Sequence, residues 1–206
     1  MAATLARLRR LLEFDLSVFD EVRFDSHATV SSLAIATGTT FLFGLGGWLW
    51  WTVSGLGDGG AVFVKSVVLG TLFSLVLWLV WLLVVYSVLL RIAHVAVPVE
   101  QLVRSAGLAT APLALGLFMF VPAISFGIGL VAIGGWVLMT QVAIERSTGI
   151  SGGAVTIANA AGFAVWAIVM SLLATSTNQL APGPFLAESI WEALTSLEYA
   201  GQVIAR

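Results

Sequence analysis

Long uncharged, mainly apolar runs alternate with short polar segments along this chain. A helix needs about 20 apolar residues to cross a hydrocarbon core about 30 Å thick. Residues 31–53 carry no charge and form the first expected span, ending in Trp48, Trp50 and Trp51 as an interfacial aromatic belt. A glycine-rich turn follows (Gly55, Gly57, Gly59, Gly60). The second span, 62–90, is the most hydrophobic, with Lys65 near its start placed to snorkel. Residues 91–104 are polar. Residues 105–144 then run for 40 positions without a charged side chain. As one helix they would be about 60 Å long, twice the core. They are therefore expected to fold as a hairpin broken near Pro122, whose ring removes a donor and clashes with the preceding turn. That gives a third span at 106–121 and a fourth at 123–144. After a polar loop at 145–153, residues 154–174 form the fifth, and Pro182 and Pro184 interrupt the chain beyond it.

Both ends show helical periodicity of a different kind. Leu5, Leu8, Leu12, Leu16 and Phe19 recur at spacings of three and four, with Arg7, Arg10, Glu13, Asp20 and Glu21 off that face. This pattern predicts a helix lying on the inner leaflet, anchored by arginines near anionic lipid, or docked on a cytoplasmic partner. Near the C-terminus Leu186, Ile190, Leu194 and Leu197 form a second stripe, with Glu188, Glu192 and Glu198 away from it. The expected fold class is all-α: a polytopic membrane protein with five transmembrane helices and amphipathic N- and C-terminal helices. Residues 1–27 would be the cytoplasmic amphipathic helix, 28–174 the five-helix transmembrane domain, and 175–206 the extracytoplasmic amphipathic tail.

Charge supports this topology. Only 10% of the 206 residues are charged, where about 25% is ordinary for a soluble domain. Five spans place Arg7, Arg9, Arg10, Arg23, Arg91, Arg104 and Arg146 on one side and only Lys65 and Arg206 on the other. Positive charge marks cytoplasmic loops, so the N-terminus is expected to be cytoplasmic and the C-terminus extracytoplasmic or lumenal. A net charge of -2 offers nothing to attract nucleic acid.

Little in the chain suggests chemistry. The absence of cysteine excludes disulfides, thiolate metal sites and a cysteine nucleophile. His27 and His94 are the only histidines. They are candidates for a cofactor site, as an axial ligand to a pigment or haem, or as a two-histidine metal site with Asp25 and Glu100. Ordinary hydrogen bonding at the membrane edge is the simpler role. Gln141 and Asn159 are the amides within the fourth and fifth spans, expected to bond between helices or to line a polar path. No deep span position holds Asp, Glu, Lys or Arg, which disfavours proton coupling. Small residues recur every four positions: Ala106, Thr110 and Ala114 in the third span; Ala154, Ala158 and Gly162 in the fifth; and Thr156, Ala160 and Ala164 in a second row. Such rows allow backbones to approach closely. Trp78, Trp81, Trp136 and Trp166 sit mid-span, as interface fillers or as contacts to a pigment, quinone or lipid.

The run Leu102-Val103-Arg104-Ser105-Ala106-Gly107-Leu108-Ala109-Thr110-Ala111-Pro112-Leu113 resembles the opening of the third span in the Yip-domain family, relatives of Rab/Ypt GTPase-interacting membrane proteins. Residues 136–154, WVLMTQVAIERSTGISGGA, resemble that family's fourth span and following loop. The likeness extends over about residues 31–174. It departs at Leu108, where an aromatic is usual, at 94–101, where a glycine-rich segment is usual, and in the longer C-terminal extension. The resemblance implies five spans, a cytoplasmic N-terminus and a non-catalytic role in membrane organisation. The N-terminal motifs that would imply Rab binding are not visible in this sequence.

The expected function is a non-enzymatic scaffold or accessory subunit, with the lipid bilayer and other membrane subunits or a second copy as partners. A passive channel or small-solute transporter is the first alternative. A pigment- or cofactor-binding subunit of an electron-transfer or light-harvesting assembly is the second.

Overall fold

The computed structural model describes residues 2–55 and 59–173, and every regular element among them is helical. Two short N-terminal helices, α1 (Ala2–Leu12) and α2 (Val18–Val22), precede five helices long and apolar enough to cross a membrane. These are α3 (Ala28–Val53), α4 (Gly59–Ala93), α5 (Val99–Phe120), α6 (Pro122–Thr148) and α7 (Gly153–Leu173). The protein is thus an all-helical multi-pass membrane protein with five spans. The amphipathic tail at 175–206 lies outside the described residues.

The densest packing joins α3 to α5, α4 to α7 and α5 to α6. Helix α5 is the most enclosed: 61% of its membrane-length window is buried, against 33–39% for the other four. Hydrophobicity cannot drive association in lipid, so contacts between such helices rely on close van der Waals approach and hydrogen bonds. Glycine supplies that approach here. A Cβ on Gly46 of α3 would fall 1.9 Å from the Gly116 carbonyl oxygen of α5, and one on Gly107 would fall 2.7 Å from Ser32. On the other side of the bundle, a Cβ on Gly162 of α7 would fall 1.9 Å from Cδ1 of Trp81 on α4.

Three helices depart from a uniform α geometry. Helix α4 is α-helical over Gly59–Val62 and Gly70–Val88 and π-wound over Phe63–Leu69 and Leu89–Ala93. The first π segment turns Ser66 and Val67 inward together, towards Gly44 of α3. Helix α5 is α-helical only to Ala109 and continues as a 3-10 helix over Ala111–Phe120. Pro112 explains the change, because it has no amide hydrogen and its ring opposes the carbonyl four residues back. The 3-10 rise of about 2.0 Å per residue also stretches 22 residues to about 36 Å, enough to cross the bilayer. Helix α6 opens with a 3-10 turn, Pro122–Ile124. The break itself is at Val121, which is extended (φ -86°, ψ 106°) and passes the chain into Pro122.

The span limits are close to those expected from sequence, with corrections at the ends. Helix α5 begins at Val99, not at 106, so it includes Glu100 and Arg104. Helix α6 runs on to Thr148 and closes at Gly149, whose left-handed φ of 70° lets its amide donate to the Glu145 carbonyl at 2.9 Å.

The N-terminal segment packs onto the bundle. Helix α1 ends in a Schellman turn: the Asp15 amide donates to Arg10 O at 2.9 Å and the Phe14 amide to Leu11 O at 3.1 Å. The chain then reverses into α2. Leu11, Val18, Phe19 and Val22 are buried against Ala28, Leu108, Ala109 and Ala143. The stripe expected from sequence is therefore divided: Leu16 and Phe19 turn to the bundle, while Leu5 and Leu12 remain exposed.

Candidate functional site

The polar chemistry of the described residues is concentrated at one end of the bundle, where α3 and α5 begin and α6 ends. Arg7 forms ion pairs with Glu21 (2.9 Å) and Asp25 (2.8 Å), and Arg10 with Asp15 and Glu21 (both 2.8 Å). Arg146 reaches back from α6 to Asp20 at 2.9 Å. Arg23 donates to the Arg146 carbonyl. Arg104 donates to Thr29 Oγ1 (2.8 Å), the Arg23 carbonyl (3.2 Å) and Glu100 (3.2 Å). Gln101 Nε2 donates to the Ser147 carbonyl at 2.9 Å. Arg23 thus contacts both Arg104 and Arg146, which places those two connections on the same face, as a hairpin at Pro122 requires.

These contacts shift the carboxylates. Hydrogen bonds from Ser17, and then from Arg10, lower Asp15 to about 2. Arg7, and then Arg10, hold Glu21 below its usual range, and Arg7 does the same for Asp25. The arginines of the N-terminal segment are therefore engaged mainly by carboxylates of this chain, a partner the sequence pattern did not point to.

The two histidines are both exposed. His27 precedes α3, and its backbone amide donates to Asp25 Oδ1 at 3.0 Å. His94 stands in the left-handed region (φ 54°) directly after α4, where the Val95 amide reaches Leu89 O at 3.4 Å. Among the described residues no three His, Cys, Asp or Glu side chains gather closely enough to hold a metal ion.

The small-residue rows divide into inward and outward sets. Ala106 and Thr110 are buried on α5, but Ala114 lies only partly covered. The 3-10 winding shifts the inner face to Thr110, Leu113, Gly116 and Met119, every third residue. Thr39 of α3 donates to Thr110 Oγ1 at 2.9 Å, a contact no sequence spacing announced. On α7, Ala158 and Gly162 are buried and continue as Trp166 and Met170, while Ala154 is partly covered. Thr156, Ala160 and Ala164 all face outward.

The intramembrane amides join α6 to α7. Asn159 Nδ2 donates to the Val137 carbonyl at 3.1 Å, and Gln141 Nε2 to Glu145 (2.9 Å) and Thr156 Oγ1 (3.3 Å). The mid-span tryptophans fill the centre. Trp136 stands edge-on to Trp81 (4.9 Å between centroids) and to Trp166 (5.1 Å), and Phe163 stacks on Trp166. Such edge-to-face contacts set positive ring edges against negative faces. The indole nitrogens of Trp78, Trp81, Trp136 and Trp166 have no hydrogen-bond acceptor among the described residues. An interior crevice of about 10 Å³, lined by Thr40, Ser66, Thr71, Ser74 and Trp166, has room for about one water. An apolar groove of about 600 Å³, lined by Leu115, Phe118, Ile124 and Val131 among others, lies at the α5–α6 turn.

Fold and contacts together define a five-span helical membrane protein whose polar groups are used mainly to fasten its own helices. Comparison with protein-family models, curated proteins and solved structures finds no match to this chain.

Proposed function

We propose that this protein is a non-catalytic integral membrane scaffold or accessory subunit, of the membrane-organising kind that the Yip-domain resemblance implies. It packs laterally against another membrane protein or a second copy of itself. The observation that carries this reading is the row Thr156, Ala160 and Ala164. The other small row of α7 is used up inside the chain, with Gly162 against Trp81, whereas this one is exposed along its length. Small side chains on a lipid-facing surface give little packing with acyl chains but permit close approach of a helix.

The arginine-bearing end supports a cytoplasmic N-terminus through the positive-inside rule. The short connections, 94–98 and 149–152, leave no soluble domain among the described residues in which catalysis would be housed. The test is crosslinking of the full chain in its native membrane, followed by mass spectrometry, with Ala160→Phe/Ala164→Phe as the comparison. The expected result is a discrete crosslinked partner or dimer that the double variant loses while remaining folded. A wild-type chain that stays monomeric and captures no partner would overturn the proposal.

A further inference from the structure

The N-terminal strap of α1 and α2 has a second apolar surface. Besides the residues buried against the bundle, Leu5, Leu12, Phe14 and Phe24 are 66%, 78%, 78% and 73% exposed. Phe14 is notable on conformational grounds. It occupies the left-handed position of the Schellman turn (φ 60°), where glycine is usual because a Cβ is disfavoured. With the ring 78% exposed, side-chain packing within the chain offsets little of that strain.

The surroundings indicate what covers these side chains. Phe24 lies four residues before α3, a membrane-length helix on which Val30, Leu33 and Phe41 are exposed. The strap therefore sits at the membrane boundary, directly before a span whose exposed apolar side chains lipid must cover. Its charge argues against an anionic-lipid anchor. Residues 2–27 hold four arginines and five carboxylates, a net charge of -1 with His27 neutral. Arg7, Arg9 and Arg10 are each paired with carboxylates of the strap, and Arg23 is turned to Arg146 and Asp20, with its guanidinium 4.5 Å from the centroid of the Phe24 ring, whose other face is left for lipid. A polybasic segment would hold free positive charge for headgroups.

We infer that Leu5, Leu12, Phe14 and Phe24 are seated in the leaflet on the arginine-bearing side, holding the strap to the bilayer by apolar insertion without electrostatic attraction. One strap thus has two interfaces: Phe19 and its neighbours grip the bundle, and the second set grips lipid. An amphipathic segment used in this way couples the packing state of the leaflet to the end of the bundle where α3, α5 and α6 meet.

The absence of cysteine makes a clean test possible in the full-length protein. Leu5→Cys, Leu12→Cys, Phe14→Cys and Phe24→Cys are each nitroxide-labelled and reconstituted in zwitterionic phosphatidylcholine vesicles. Collision with oxygen is compared with collision with a water-soluble nickel chelate. Val30→Cys serves as the lipid reference and Glu13→Cys as the aqueous one, with tryptophan fluorescence reporting that each variant is folded. The expected result is an oxygen-to-nickel ratio at all four sites severalfold above that of Glu13→Cys and close to that of Val30→Cys. Added phosphatidylserine or salt should not change it. An aqueous ratio at two or more sites overturns the inference. So does low access to both reagents, which would mean that a protein or a second copy covers the strap, and so does lipid contact that appears only with phosphatidylserine.

Discussion

The close crossing of α3 and α5 gives the sharpest energetic prediction. In Gly46→Ala the new Cβ would sit 1.9 Å from Gly116 O, 2.7 Å from Gly116 C and 2.9 Å from Leu117 Cα. All three neighbours are backbone atoms, which cannot rotate aside as a side-chain tip can. Ordinary contact begins near 3.4 Å, so the helices must separate locally by about 1.5 Å. Phe43, packed on Gly116, would lose contact with it. Overpacking of this kind costs about 1–3 kcal/mol, roughly 5- to 150-fold in the folding equilibrium at tenfold per 1.4 kcal/mol. Gly38→Ala on the same helix is the control, because a Cβ there meets nothing within 4 Å. Helix propensity alone favours alanine over glycine by about 0.8–1.0 kcal/mol, so that change should be neutral or stabilising. Unfolding in mixed micelles, followed by tryptophan fluorescence over a denaturing-detergent titration, measures both. Gly46→Ala should lose stability, whereas Gly38→Ala should keep or gain it. A Gly46→Ala protein as stable as Gly38→Ala would refute the claim that backbone contact, and not side-chain filling, sets the α3–α5 distance.

Two further predictions concern the strap. Its apolar contact should outweigh its ion pairs: Phe19→Ala should cost about 3–5 kcal/mol of strap docking, whereas an Asp20–Arg146 double-mutant cycle should give a coupling below about 1 kcal/mol, because both side chains are more than a third exposed. The mobility of a nitroxide at Arg9→Cys reads both, and a coupling comparable to the loss of Phe19 would contradict this ranking. The hold of α1 on α2 within the strap should also weaken in acid. Asp15, Glu21 and Asp25 are all depressed, so their stabilisation is present above their ordinary values of 3.8 to 4.5 and is lost as pH falls towards about 2, the value for Asp15. The same label, which sits on α1, should therefore gain mobility below about pH 4, and an unchanged spectrum down to pH 2 would show that these carboxylates do not hold α1 on α2.

Much of this architecture is legible in the sequence, because the bilayer imposes a length and a polarity on anything that crosses it. Uncharged runs near 20 residues long, the arginines gathered in alternate connections, and a 40-residue run too long for one helix located five spans and the Pro122 break. Ala158 and Gly162 were equally readable, since an α-helical period of four held there. The period failed on α5. Pro112 converts that helix to three residues per turn, so Gly116 and Met119 replace Ala114 on the inner face. Which small row of α7 faces inward depended on Trp81, a residue more than 70 positions away in sequence. The N-terminal stripe was visible as one face but serves two surfaces, because a turn at Phe14 reverses the chain and five carboxylates engage the arginines that lipid would otherwise attract. Local pattern thus determined which segments enter the membrane, since the solvent alone enforces that rule. Which faces meet was decided by tertiary structure, because close packing depends on where particular glycines and rings arrive in space.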